Sequence, residues 1–570
     1  MSVAENSKFI ALVADNGTEF TSEQKAIFTI HPDIGFVKGK DSYLSFDMLN
    51  TCPNSRVCQF PTSAGASSVI DRLDIFSLAN GQLLESLTNY NLWSSIEQQY
   101  CEEDNAHSQL KNGTDVENRS WQSTQAAATK VNTLIERGSV NDHRTTHDLG
   151  SMVFSQISSG TGVVSGVNQE TDLDKEMCAK KFNARKFCIP LRSGIFSHFG
   201  VSEKLTPILL FGGLRIEVTF AADNRVMTRS YVGEADTGSV QAETYATGIA
   251  VNDVAVAVAG GGVAATTAKT IIVTGVISDP ATLGLVRGAT MTISNTAGGA
   301  AENFTVAHVH RQLTETEGLP TDKVCIVTTA ALTPIDTGCK IFFRNPTTQS
   351  TYKLKNVELK VLQVIPPQQL MKGIIKESQF DYISWDCFLD NLPSSSLSHQ
   401  SDITSVASAA KSIFTHYISV ANENGAHAQN YYNGQPPHQT GLKSVQYFIN
   451  NKLYPLNAYN PDAKKDKVVN MNELVKAFAT TGLSVKRLGE CRAGNITDYT
   501  NTYLHARELA RGEQFVYNLK DAEPQIRLTF SGDRTVAPAG GYAVGNARMI
   551  HFVFSVKTIM VNKDNLQLIL

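Results

Sequence analysis

FCIPLRSGIFSHFGVSEKLTPILLFGGLRIEVTF, residues 187–220, ends in a clean alternation. Leu214, Ile216, Val218 and Phe220 fall on one side, and Arg215, Glu217 and Thr219 on the other. A period of two is the mark of a strand with one buried face. Gly212 and Gly213 supply a tight, side-chain-free entry into it. Before them Pro207–Phe211 (PILLF) is continuously apolar, which predicts a segment buried on both faces at an interior corner of a β sandwich. Nothing in the stretch has the makings of a reaction centre; it reads as scaffold.

Working outward, strands are predicted at Tyr43–Met48 and Val69–Leu78, the latter followed by the turn pair Asn80-Gly81. Leu83, Leu84, Leu87, Tyr90 and Leu92 allow a short helix within Leu83–Tyr100. Residues 1–35 are polar, without sustained period, and read as an arm that orders on contact. Residues 102–175 are dominated by polar side chains and read as a long surface excursion with one helix near Gln125–Arg137.

At about Tyr231 the composition shifts. Residues 233–345 are rich in Ala, Gly, Val and Thr, with alternating runs at Ile249–Val258, Ile271–Ile277, Thr290–Ser294, Phe304–His310, Val324–Thr329 and Lys340–Phe343. This pattern predicts a small β unit inserted into a larger one. The host resumes at Tyr352–Val361, where the alternation changes phase at Asn356 and predicts a β-bulge. Gln368–Lys376 reads as helical. Strands follow at Phe380–Phe388, Ser412–Ser419, Val445–Ile449, Phe515–Leu519, Ile526–Phe530, Met549–Val561 and Leu566–Leu570, with a turn at Asn450-Asn451. A helix is predicted to start near Asn470, capped by Asn470 with Glu473, and to bury Met471, Leu474, Val475 and Phe478. Ile526–Phe530 (IRLTF) echoes Leu214–Phe220 (LRIEVTF), a hint of duplication.

The totals narrow the function. At 570 residues the chain is long enough for roughly three or four domains. A formal net charge of -4 gives no general case for nucleic-acid binding. MSVAENSKFI, residues 1–10, lacks a basic start followed by an apolar core, so no secretory leader is expected. No stretch is apolar enough to predict a membrane span. Nine scattered cysteines without a CxxC pair read as free thiols of a reducing compartment.

Candidate chemistry is sparse. His143 and His147 have the i,i+4 spacing of a metal pair, but NDHRTTHDLG is a poor helix and reads as a polar loop. His308 and His310 share one side of a predicted strand, with no third ligand in sight. Cys52/Cys58 and Cys178/Cys188 are close in sequence, which does not show that their Cβ atoms converge. Gly260–Gly262 lacks the Lys-Ser/Thr of a phosphate loop and reads as a turn. Asn-x-Ser/Thr triplets at Asn16, Asn112, Asn118, Asn303 and Asn495 read as chance. The expectation is no catalytic, cofactor-binding or metal site, and no cofactor.

Four stretches now stand in a telling order: Ile189–Ser197 (IPLRSGIFS), Pro207–Phe220, Tyr352–Val361 (YKLKNVELKV) and Tyr447–Leu456 (YFINNKLYPL). With them the chain resembles the double jelly-roll major capsid proteins, in style those of virophages and polinton-like viruses. The resemblance spans most of both halves and leaves 102–175 and 233–345 uncovered. It implies a mainly all-β fold of two consecutive antiparallel eight-stranded jelly rolls with a few short helices and an inserted small β domain. The division it implies is an arm at 1–35, a first roll at 36–232 and 346–378, an outward-facing insert at 233–345, and a second roll at 379–570. It further implies a structural, non-enzymatic subunit, made and assembled in a host cell. That subunit would trimerise into near-hexagonal capsomers and tile an icosahedral shell around a DNA genome, alongside penton and minor capsid proteins. Two other readings are a receptor- or glycan-binding surface protein and a jelly-roll carbohydrate-active enzyme. The enzyme needs paired carboxylates across a groove, and no segment singles out such a pair.

Overall fold

A computed structural model describes residues 6–50, 57–61, 64–101, 152–154, 185–200, 204–226, 228–229, 249–253, 270–273, 290–294, 302–312, 323–328, 340–342, 351–365, 379–393, 397–405, 407–423, 431–432, 442–459, 464–486, 504–510, 516–520, 522, 524–530, 546–562 and 565–569.

Sixteen strands build two sandwiches. The first uses β1 (Asn6–Val13), β2 (Lys25–Ile30), β3 (Phe36–Asn50), β4 (Ile70–Ser77), β5 (Leu83–Leu87), β6 (Thr206–Pro207), β7 (Leu214–Phe220) and β8 (Tyr352–Ile365). The second uses β9 (Gln379–Leu392), β10 (Ser398–Asp402), β11 (Ala410–Ser419), β12 (Leu442–Ile449), β13 (Lys452–Tyr459), β14 (Leu504–Glu508), β15 (Gln525–Phe530) and β16 (Ala547–Asn562). The first pair of sheets runs β1-β8-β3-β6 and β2-β7-β4-β5. The second runs β9-β16-β11-β14 and β10-β15-β12-β13. Adding eight to each strand number of the first roll gives the second. All these pairings are antiparallel. This is the eight-stranded jelly roll, twice in one chain.

The opening stretch supplies β6, β7 and most of the short strand Arg185–Pro190, which pairs with β3. In β7, Leu214, Ile216, Val218 and Phe220 are buried as the alternation predicts. Glu217, on the opposite side, is buried too, because Lys25 and Arg215 both ion-pair with it. PILLF departs from expectation. After Pro207 it leaves the sheet in successive turns, with Phe211 N donating to Ile208 O and Gly213 N to Ile208 O. Ile208 and Phe211 point inward and Leu209 is exposed. The run is apolar because the turn tucks Ile208 and Phe211 into the core with Leu210 packed against it, not because a strand is covered twice.

Asn356 sits where the β8–β3 register shifts, at φ 51°, as the phase change predicts. Asn450 and Asn451 have φ 48° and 58° and join β12 to β13 with Ile449 opposite Lys452. Positive φ at both central residues is the two-residue hairpin turn that asparagine tolerates. The echoing stretches are β7 and β15, which hold equivalent places in the two rolls.

Three expectations are corrected. Within the expected arm at 1–35, the described residues 6–35 are not free: Asn6–Val13 pairs along its whole length with Glu358–Ile365, and Lys25–Ile30 pairs with β7. Each of these strands has one inward row (Ile10 and Leu12; Ala26, Phe28 and Ile30), too short to stand out among polar neighbours. The second helix starts six residues early, at Lys464. Asn470 is therefore inside it, buried and donating through Nδ2 to Leu504 O rather than capping, and Val475 is exposed. Of the strand expected at Phe515–Leu519, the described residues 516–519 are not a sheet strand; Tyr517 makes one isolated bridge to Ala410.

Strands Ile249–Asp253, Thr270–Val273, Thr290–Ser294, Glu302–Gln312, Lys323–Thr328 and Lys340–Phe342 close into a six-stranded barrel between β7 and β8 in the chain. Met152–Phe154 pairs with Val57–Gln59. The helices expected at Gln125–Arg137 and Gln368–Lys376 lie outside the described residues. Among the described residues no helix is long and apolar enough to cross a membrane.

Candidate functional site: the seam between the rolls

The core is not divided roll by roll. One cluster lies inside the second sandwich alone, with Ile413, Tyr417, Val445, Tyr447, Ile526, Leu528, Met549 and Val553. The other runs from the first sandwich into the outer face of the β9-β16-β11-β14 sheet. β16 serves both: Met549 and Val553 face its own sandwich, while Ile550, Phe552 and Phe554 face the first roll. A strand buried on both sides must be apolar on both, which accounts for the near-continuous run around HFVFSV at 551–556.

Helix α1 (Tyr90–Tyr100) is the first roll's main contribution. It follows β5 through Asn89, held at φ 51°. Trp93 is fully buried, with ring centroids 4.6 Å from Phe554, 5.1 Å from Phe414, 5.3 Å from Phe552, 5.8 Å from Trp385 and 6.0 Å from Phe478. Each of those partners belongs to the second half of the chain. Such pairs add about 0.5–1.5 kcal/mol each beyond area burial. Phe478 comes from helix α2 (Lys464–Thr480), which also stacks it on Tyr100.

Directional bonds fix the angle. Trp385 Nε1 donates to Thr88 O at 3.2 Å, and Tyr382 Oη donates to Leu84 O. Tyr431 Oη donates to Asn89 Oδ1 at 3.1 Å and Tyr432 Oη to Arg225 O at 3.0 Å. Gly200 N donates to Thr481 O, and Lys486 N to Tyr100 O, both at 2.9 Å. Two glycines permit the close approach. A Cβ on Gly194 would lie 2.0 Å from Ile383 O, and one on Gly482 (φ +79°) 2.4 Å from the backbone of Gly200.

Charge is buried at the same place. Glu97 Oε1 lies 2.6 Å from His198 Nε2 and 3.3 Å from Arg192 Nε, and Arg192 is fully buried. Burial would raise the Glu97 carboxyl, but His198 and Arg192 overcome it and hold the pKa below its ordinary value. Glu85 accepts from Ser193 Oγ, Gly194 N at 2.9 Å and Ile195 N at 3.4 Å. There burial prevails and pushes the carboxyl up. Arg192–Ile195 lies within the IPLRSGIFS stretch, so that stretch is the bracket that grips both carboxylates.

None of the residues weighed for chemistry is among the seam side chains named above. His143, His147, Cys52, Cys178 and Gly260–Gly262 lie outside the described residues, as do Asn112, Asn118 and Asn495. His308 and His310 are on the barrel strand Glu302–Gln312, opposite Val327 and Cys325, and that strand also carries Asn303. Cys58 is on Val57–Gln59. Cys188 is a half-buried free thiol. Asn16 braces a turn through Lys25 O and the Ile27 amide. Among the described residues no group of three or more His, Cys, Asp or Glu side chains is placed to hold a metal ion. Phe478 is buried as the sequence predicts, but its place in the seam escaped sequence reasoning, as did Trp93, Glu85 and Glu97; the one available signal was the two-sided apolar run in β16.

No protein-family model matches the chain, and no curated protein matches it. Among solved structures it is similar to the PBCV-1 protein VP54 fitted into a reconstruction of the virophage Sputnik, at 8% identity and TM-score 0.47, covering 99% of this chain and 96% of that one. It is similar to the Faustovirus major capsid protein at 8% identity and TM-score 0.46, covering 98% and 90%. It is similar to the mavirus major capsid protein at 8% identity and TM-score 0.35, covering 100% and 91%.

Proposed function

We propose that this chain is the major structural subunit of an icosahedral viral capsid, located in the virion, with no catalytic activity and no cofactor. Three copies associate into a capsomer of near-hexagonal outline, and capsomers tile a shell around a DNA genome with penton and minor capsid partners. The observation that carries the reading is the jelly roll repeated strand for strand in one chain, with one core continuous across the seam. Two like rolls per chain supply six like units from three chains, which is what a hexagonal tile needs. A shell subunit also has to hold its two halves at a fixed angle, and the Trp93 cluster does that.

In this reading the division of the chain becomes a first roll interrupted by the 233–345 unit and a second roll from 379. The barrel within 233–345 decorates the outer surface. Large permanent interfaces bury thousands of Å2, roughly 2,000–5,000 or more, so the oligomer should persist on dilution. Light scattering on the purified protein with a low-magnification electron image is the test. A three-chain mass with a near-hexagonal outline supports the reading. A monomer with no lattice or particle under any condition, or strong binding on a glycan array by such a monomer, overturns it in favour of a receptor-binding protein.

A further inference from the structure

The edge of a sheet carries a row of unpaired backbone groups, and proteins blunt it with short strands, charge, proline or cover. The four sheets of the two rolls end in eight edge strands. Five of them, β2, β5, β6, β10 and β14, are six residues long or shorter. β13 carries Pro455 and a register shift against β12. β9 carries Asp381, Asp386 and Asp390, and the first roll covers part of it: Lys204 Nζ donates to Asp381 O at 3.1 Å, and Gly194 lies against Ile383 O. β1 has none of these devices. It runs for eight residues without proline, pairs with β8 without a register shift, and has Lys8 as its one charged residue.

The strand is open to solvent as well. Ser7, Lys8, Phe9, Ala11 and Val13 are all exposed, Phe9 at 56% and Val13 at 51%. The Tyr43 ring, 6.0 Å from that of Phe9, extends the apolar patch. The sequence is also symmetric in size about Ala11, with Phe9 and Ile10 before it and Leu12 and Val13 after it. An antiparallel copy centred on Ala11 sets Phe9 opposite Val13 and Ile10 opposite Leu12, each pair twice, with the small Ala11 opposite itself. Directly opposed residues share a face, and these do: Phe9 and Val13 lie outside, Ile10 and Leu12 against the core. A slip of one residue would set outward side chains against inward ones. A slip of two sets Phe9 against Asp15 in one direction and Lys8 against Leu12 in the other.

We propose that β1 of one copy pairs antiparallel with β1 of a second copy of this chain, about a twofold axis through Ala11, and joins two β1-β8-β3-β6 sheets into one. The occupant follows from the strand's own sequence, which is complementary to itself in this register. Main-chain bonds along the open edge supply the attraction, and the apolar pairs on both faces supply the register. A twofold contact uses the same patch on both chains, whereas a three-chain ring is built from head-to-tail contacts. The paired strands therefore lie between capsomers and not within one. That placement rests on the assembly reading above; the pairing itself does not.

Phe9→Glu and Val13→Lys test it, with circular dichroism reporting the fold. Both positions are exposed in the single chain, opposite Leu362 and Glu358 of β8, so neither new charge is buried or set beside a like charge there. In a pair of identical variant chains each new charge falls against an apolar side chain, twice over. In a mixed pair the new carboxylate faces the new ammonium. Light scattering over a dilution series should show capsomers of unchanged mass in both variants, with the dissociation constant for joining capsomers raised about 100-fold over the wild type. An equimolar mixture of the two variants should recover the joining. Ala11→Cys under mild oxidation should give a two-chain band on a non-reducing gel, since its Cβ atoms would stand about 4.5–5.5 Å apart across the axis. Ser7→Cys, about 27 Å from its mate, should give no more of that band than the wild type. Variants that join like the wild type, a mixture that does not recover, or Ala11→Cys without the band would each overturn the pairing and leave the capsid reading standing. Variants that split the capsomer into single chains would overturn the placement between capsomers. A wild type that scatters as a monomer while Ala11→Cys still cross-links would overturn the capsid reading and leave the pairing.

Discussion

Lowering the pH from 8 to 5 should destabilise the folded chain, and one buried imidazole, His551, gives a share that can be isolated. His551 lies inside the second sandwich, fully buried, with Nε2 2.9 Å from Ser401 Oγ and Nδ1 2.9 Å from Thr415 Oγ1. Burial pushes its pKa down to about 4; Asp390 opposes this and His399 adds to it. In the unfolded chain the group titrates near 6.5. The folded state therefore keeps it neutral while the unfolded state takes up a proton, so stability is full above pH 6.5, falls between 6.5 and about 4, and then levels. At pH 5 the unfolded form is about thirtyfold protonated and the folded form hardly at all, which costs about 2 kcal/mol at 1.36 kcal/mol per unit. His551→Gln keeps an amide among the two hydroxyls and removes the titration. Urea unfolding of both proteins at both pH values gives the answer as a double difference, in which the cost of the substitution itself cancels. The variant should lose about 2 kcal/mol less than the wild type. Equal losses would refute the claim that His551 is buried neutral. His505, fully buried with its pKa pushed down to about 3, adds a loss of the same sign that both proteins share.

Trp93→Ala should cost about 3–5 kcal/mol and split one calorimetric transition into two, because the second roll keeps a core of its own. Val218→Asp, at a site 1% exposed, should abolish folding and with it any oligomer, since an unpaired charge would be buried; normal oligomers would mean that the inward face of β7 is wrong. Arg192→Met should cost about 3–5 kcal/mol by leaving buried Glu97 with His198 as its one remaining ion-pair partner among those named, and adding Glu97→Gln should recover much of it in thermal melts.

The strands legible in the sequence were those with one wet and one dry face. β7, β12 and β15 show their alternation, and the bulge at Asn356 shows as a change of phase. Even the repeat was visible, since β7 and β15 share their pattern and their place. What escaped detection lies where a neighbour in space, not in sequence, decides the environment. β1 has only Ile10 and Leu12 to bury, while its apolar Phe9 and Val13 face outward, so its alternation is blurred. Asn470 has the type and spacing of a cap but sits mid-helix, because Leu504 O offers its side chain a buried acceptor. The seam was hidden for the same reason. Trp93, Trp385, Phe478 and Phe554 stand far apart in the chain, and no local pattern separates an aromatic residue of a sandwich core from one between sandwiches.

The two rolls are alike in strand order and unlike in their outer faces, and that difference gives the repeat its direction. The outer face of β9-β16-β11-β14 carries Trp385, Phe414, Phe552 and Phe554 and is covered by the first roll. The outer face of β1-β8-β3-β6 carries Lys353, Lys355, Glu358 and Lys360, with ion pairs to Glu19 and within the strand. Such a face is already suited to water, while the aromatic one requires its cover from the start. Surface pairs of this kind contribute only about 0–1 kcal/mol each, so a partner can displace their water at little cost. The seam is different: separating the rolls would expose Trp93 and break the bonds from Trp385, Tyr382 and Tyr431 to Thr88, Leu84 and Asn89, so the angle between them is as rigid as a core. Any adjustment that a curved shell demands must then come from contacts between chains and from loops, and not from the hinge that a two-domain chain ordinarily provides.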